Sequence, residues 1–229
     1  MFVTNLNPIM KKLILALSFG LCSALALAQY QNKDGNRIGI TGGISQSTLL
    51  SSNFSAKPGI GFNGGLSVRG NYYNNWSMIY GMQFFQNTFS LETTTPTLQK
   101  KDTEFNLAGA QIRLLLSYNV VKNHVSFDFG PVIQINDKLK TDDADVNNLI
   151  NGSTGLKASQ LQDVAKVNGN VYVGFSAGTR RFRAIVNYQY GVNNLFNKLN
   201  SDDALILLNG NNKFKGNIGT ISGQLLFNL

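Results

Sequence analysis

The sequence predicts an all-β fold: an eight-stranded antiparallel up-and-down barrel that crosses a membrane with its strands. Three observations predict it. Apolar and polar residues alternate with period two through eight segments, the spacing that sends successive side chains to opposite faces of a strand. The connections between those segments alternate strictly between short and long. The polar face of the ladders carries almost no charge.

The N-terminus reads as an export signal that precedes the fold. Met10-Lys11-Lys12 gives a short cationic start, residues 13–27 an apolar run, and Ala26-Leu27-Ala28 a small-residue cleavage site. The expected division is a signal peptide over 1–28 with its true start at Met10, a short segment over 29–36, and a barrel over 37–229. Cys22, the one cysteine of the chain, falls in the signal. The processed chain then owes nothing to disulfides or thiol chemistry. Beyond the signal no run approaches the roughly 20 apolar residues of a spanning helix, so any crossing is made by strands.

The ladders occupy residues 38–45, 60–73, 76–84, 108–119, 125–136, 171–178, 182–191 and 219–229. In the fifth, Val125, Phe127, Phe129, Pro131, Ile133 and Ile135 alternate with Ser126, Asp128, Gly130, Val132, Gln134 and Asn136. Most are near the nine to eleven residues that a tilted strand needs to cross a bilayer. Residues 73–75, 121–123 and 179–181 are tight turns, whereas 46–58, 86–102, 137–167 and 193–215 are long polar connections. An up-and-down barrel collects the short turns at one end and the long loops at the other, as outer-membrane barrels do. An even strand count returns both termini to the short-turn end.

Alternation alone does not say which face is inside, since a soluble barrel with an apolar interior has the same period. Charge decides. A face open to water is normally rich in Lys and Glu, but the only charges on this one are Arg69, Arg113, Asp128 and Arg183, and the rest is Gly, Ser, Thr, Asn and Gln with a few apolar exceptions such as Leu115 and Ile185. Such a set packs a narrow lumen and bonds to itself. The opposite face, with Phe84, Ile112, Leu114, Leu116, Phe127, Phe129, Val173 and Phe175, has no charge and meets lipid. Tyr72, Tyr73, Trp76, Tyr118 and Phe182 stand beside the short turns, where an interfacial aromatic girdle belongs. Leu225, Phe227 and Leu229 are in phase on the last strand, which resembles the terminal signal read by the outer-membrane assembly machinery.

Several of these pieces resemble the PorT-like outer-membrane β-barrel family of Bacteroidetes. The resemblance rests on a leucine-rich strand ending in Tyr (Ile112-Arg113-Leu114-Leu115-Leu116-Ser117-Tyr118), a Gly130-Pro131 pair in the next strand, and Tyr188-Gln189-Tyr190-Gly191-Val192-Asn193-Asn194 entering the last long loop. It covers nearly the whole processed chain. It implies the barrel fold and the cell outer membrane, and the namesake's part in protein secretion implies an accessory of an envelope or secretion complex.

Functional chemistry is sparse. The net charge of +8 would suit nucleic acid, but the basic residues form no stripe, so nucleic acid is not an expected partner. His124 is the only histidine and falls in a short turn, so no nucleophile–base pair is evident and no catalytic residue is assigned. Asp143-Ala144-Asp145-Val146-Asn147 imitates the start of a calcium loop, but Asn148 stands where Gly is needed and Thr154 where Glu is needed. No metal or cofactor is assigned. By parity Arg69, Gln111, Arg113, Asp128 and Gln134 face inward and are expected to form a structural polar network. Ser201-Asp202-Asp203 followed by Leu205, Ile206, Leu207 and Leu208 reads as a capped short helix, and those four apolar residues as a candidate docking loop for an envelope protein. The leading expectation is a non-enzymatic barrel that sits in outer-membrane lipid and presents extracellular loops. A narrow channel or small-ligand barrel is the alternative, and a lipid-modifying enzyme is a third reading.

Overall fold

A computed structural model describes residues 36–229, except for the side chain of Tyr72. The signal peptide read over 1–28 and the segment that follows it, up to residue 35, lie outside the described residues. Eight strands close into a ring: β1 (Arg37–Leu50), β2 (Ala56–Tyr73), β3 (Trp76–Thr94), β4 (Lys100–Val121), β5 (Val125–Asn136), β7 (Val167–Gly178), β8 (Phe182–Gly191) and β9 (Asn217–Asn228). A two-residue strand, β6 (Leu149–Ile150), is added to the far end of β3. Each ring strand pairs antiparallel with its neighbour in sequence, and β1 pairs with β9 to close the cylinder. Closure leaves no unpaired edge in the hydrocarbon, where every backbone group must bond internally.

The predicted faces are those of the fold. On β4, Gln111, Arg113, Leu115 and Ser117 are buried while Ile112, Leu114 and Leu116 are exposed. The same holds on β7, where Tyr172 is 1 % exposed and Phe175 is 60 % exposed. The ladder from β4 to β5 skips the pairs opposite Gly130-Pro131. Pro131 has no N–H to give, and a Cβ at position 130 would overlap the Leu114 carbonyl. The Gly-Pro pair therefore lets two strands approach where one ladder bond cannot form.

The structure differs from the sequence reading in strand length: the expected connection over 46–58 shrinks to 51–55, since β1 runs on to Leu50 and β2 begins at Ala56, and β3 and β4 are longer still. The expected polar connection over 86–102 is mostly strand, since β3 runs on to Thr94 and β4 begins at Lys100. Along this hairpin the alternation keeps its period but exchanges its faces. Inward positions pass from Gln83 to Phe85, Phe89 and Leu91 on β3, and from Gln111 to Leu107 and Phe105 on β4, all buried. Outward positions pass from Phe84 to Gln86, Ser90 and Glu92, and from Ile112 to Asn106 and Glu104. The physical reason is a change of solvent. Past Phe84 the outer face meets water, so its side chains turn polar, while the inside gains apolar partners from the loops.

Those partners build a second core at the long-loop end. Phe54 from the β1–β2 loop, Leu139, Leu156 and Leu161 from the β5–β7 loop, and Leu195, Phe196, Leu199 and Phe214 from the β8–β9 loop join Phe89, Leu91, Phe105 and Leu107. Phe89 stacks on Phe105 with centroids 5.9 Å apart, and Phe54 meets Phe196 edge-on at 6.2 Å. The long connections are a folded cap rather than free loops.

Candidate functional site: the filled interior and its cap

From the short-turn end upward the interior is filled in layers. The lowest is charged. One carboxylate, Asp128, 2 % exposed, accepts from Ser117 Oγ at 2.5 Å and Ser126 Oγ at 2.9 Å. Arg69 Nη1 donates to Ser117 Oγ at 2.7 Å, and its Nη2 lies 3.5 Å from Asp128. Arg183 reaches the same cluster by donating to Ser176 Oγ at 2.9 Å, and closes the mouth by donating to Asn123 O at 3.1 Å. Arg37 donates to Asn123 Oδ1 at 2.8 Å. The serines relay charge compensation, since each hydroxyl can accept from a guanidinium and donate to the carboxylate.

An apolar layer of Ile79, Leu115, Val132 and Tyr172 lies above. Arg113 is 2 % exposed and its guanidinium sits 5.7 Å from the centre of the Tyr172 ring, a cation–π distance. Its Nε has no hydrogen-bond partner. The next layer is made of amides. Gln83 Nε2 donates to Thr41 Oγ1 at 2.5 Å and to Gln224 at 3.0 Å, and Gln111 donates to Gln83 at 3.0 Å. Gln134 donates to Asn136 and accepts from Asn170, both at 2.7 Å. A cavity of about 20 Å³, lined by Asn63, Asn87, Gln111 and Gln134 and roofed by Phe85 and Leu195, lies among them. That is room for one water.

The five inward residues expected as one network therefore occupy different layers. Arg69 and Asp128 bond with each other, Gln111 and Gln134 belong to separate amide groups, and Arg113 stands with the Tyr172 layer. Parity gives the face of a residue but not its height relative to residues on other strands, because the register between strands is not visible in one sequence. The sequence reading also missed Arg183 and Asn123 as the lock of the mouth, although the Arg183 parity was legible. Phe85, Phe89, Leu91, Phe105 and Leu107 were missed for a different reason. Their phase opposes that of Phe84 and Ile112, so one periodicity does not run through both.

The helix expected after Ser201 is α1 (Asp203–Leu208), and Asp202 caps it by accepting from Ala204 N and Leu205 N. Leu205, Ile206 and Leu208 pack against the cap core, and only Leu207, at 67 % exposure, faces solvent. The four-residue docking stripe is thus reduced to one residue. Asp145 in the acidic loop is held by Lys101 Nζ at 2.6 Å. His124 Nδ1 donates to Gly178 O at 2.9 Å, tying two short turns together. At that end Tyr73, Trp76, Tyr118 and Phe182 are exposed on the outer face, with Trp76 and Tyr118 rings 5.1 Å apart.

A cylinder with a charge-free apolar band on its outside, an aromatic rim and alternating short and long connections is the arrangement that a membrane barrel requires. The family model for the outer membrane protein beta-barrel domain matches residues 27–197. The chain belongs to that family. Its place is accordingly the outer membrane, with lipid against the apolar stripe. Solved structures that resemble this barrel include neisserial surface protein A, at 12% identity and a TM-score of 0.48, covering 85% of this chain and 99% of that one. The attachment invasion locus protein of Yersinia pestis follows at 15% identity and 0.44, over 85% and 99%. No curated protein matches the sequence.

Proposed function

We propose that this outer-membrane barrel is not an enzyme and not a pore, and that its task is to hold a folded cap at the cell surface. The observation that carries this reading is the filled interior: a charged layer, an apolar layer and an amide layer stand under an apolar core built from the β1–β2, β5–β7 and β8–β9 loops and the far ends of β3 and β4. A channel would need a continuous lined gap, and a lipid-modifying enzyme would need a nucleophile and base near the long-loop rim. His124 is at the opposite end.

The PorT-like motifs support a finer reading, in which a bacteroidete protein enters the envelope through its N-terminal signal. There it is inserted by the outer-membrane assembly machinery and serves as an accessory of an envelope or secretion complex. In that reading the polar interior is structural and the cap is the surface offered to a partner protein.

Planar-bilayer recording tests the central part. Both the wild-type chain and a Phe89→Ala variant are expected to show no stable unitary conductance. Phe89→Ala should weaken the cap by about 3–5 kcal/mol, the usual cost of emptying an aromatic core position, and expose the loops of the reconstituted protein to protease while the barrel survives. Steady ohmic channels from the wild-type chain would overturn the reading.

A further inference from the structure

The charges of the described residues are sorted by end. Every acid among them except Asp128 stands at the long-loop end, ten in all, and ten lysines stand there too, so that end is neutral. The interior holds Arg69, Arg113 and Arg183 against Asp128. The short-turn rim carries Arg37, Lys122, Arg180 and Arg181 and no described acid. Of the net side-chain charge of +6 on the described residues, the rim holds +4.

The topology gathers these cations. Because β5 pairs with β7, the β4–β5 turn bearing Lys122 lies beside the β7–β8 turn bearing Arg180 and Arg181. Gly178 N–H donates to His124 O at 2.9 Å, and His124 Nδ1 donates back to Gly178 O at 2.9 Å. The turns are thereby fixed together. Arg37 and Arg183 anchor Asn123 between them. Lys122, Arg180 and Arg181 are exposed, and the nearest outward aromatic residues along β7 and β8 are Phe175 and Phe182, 60 % and 63 % exposed. Aromatic side chains on a lipid-facing wall mark the level where hydrocarbon gives way to headgroups. The cations just beyond them stand at phosphate depth.

We propose that this rim binds the phosphates of anionic phospholipids in the leaflet facing the short turns. Guanidinium forks match phosphate oxygens in pairs, and clustered basic residues at a membrane surface bind anionic headgroups. A soluble acidic protein would not require the cations to sit against the aromatic belt. The neutral long-loop end supplies an internal control.

The full chain, purified in neutral detergent and titrated with phosphatidylglycerol or phosphatidylcholine, can be read by native mass spectrometry. It is expected to retain phosphatidylglycerol in preference, on the order of tenfold. A K122Q/R180Q/R181Q variant should lose the preference, R181Q alone should fall between, and K138Q/K140Q at the other end should keep it. R181Q leaves the backbone bonds of both turns intact and so remains informative should the triple variant fold poorly. Equal retention of the two lipids, or a preference that survives R181Q and the triple variant, would overturn the proposal. Displacement of the lipid by equimolar inorganic phosphate would assign the site to a free anion and overturn it as well.

Discussion

Replacing Asp128 with Ala is expected to destabilise the barrel by about 3–5 kcal/mol, the usual cost of removing one partner from a buried ion pair. Asp128 is the only acid in the interior among the described residues, and its Oδ1 accepts from Ser117 and Ser126 while facing Arg69. Without it, Arg69 and Arg183 lose the only negative charge in a layer closed to water. The loss should be read as a shift of the guanidinium unfolding midpoint in detergent micelles. Replacing both members, Arg69→Met with Asp128→Leu, should cost clearly less than Asp128→Ala alone, because the double variant leaves one charge fewer unpaired. Equal losses from the single and double variants would mean that the pair does not act as a unit.

The second large effect concerns the outer wall. Leu114→Arg puts a charge on the lipid face of β4, at a position 43 % exposed and flanked by Ile112 and Leu116. Near the bilayer midplane such a change costs about 2–4 kcal/mol, falling toward about 0–1 near the interface. Phe127→Arg, two residues into β5 from its short turn, should therefore cost less than Leu114→Arg. Refolding into lipid vesicles at graded denaturant concentrations measures both. An undiminished yield for Leu114→Arg would contradict lipid contact along this face.

Much of the fold was legible because one solvent acts on each face through the whole bilayer. Where Ile112, Leu114 and Leu116 meet lipid while Gln111 and Arg113 face the packed interior, binary patterning and strand period agree. Legibility ended at Phe84, where the outer solvent changes from hydrocarbon to water. There the inward run Phe85, Phe89 and Leu91 looks like a phase error rather than a strand, and the segments that form the cap look like polar loops. The interior was legible as to facing but not as to partnership. Arg113 and Asp128 share a parity, yet register places Arg113 beside Tyr172 and gives Asp128 to Arg69. For the helix, Asp202 announced the N-cap, but the burial of Leu205, Ile206 and Leu208 depends on loops distant in sequence.

The exchange of faces along β4 is the claim on which the account rests, and single nitroxide labels from residue 104 to residue 118 test it directly. They would be placed one at a time in a chain lacking Cys22 and reconstituted in lipid vesicles. Labels at 112, 114 and 116 should collide with molecular oxygen and not with a water-soluble nickel complex, those at 104 and 106 should do the reverse, and those at 105, 107, 111, 113 and 115 should be shielded from both. Ready access of the nickel complex to 111, 113 and 115 would reveal a water-filled lumen and contradict the account.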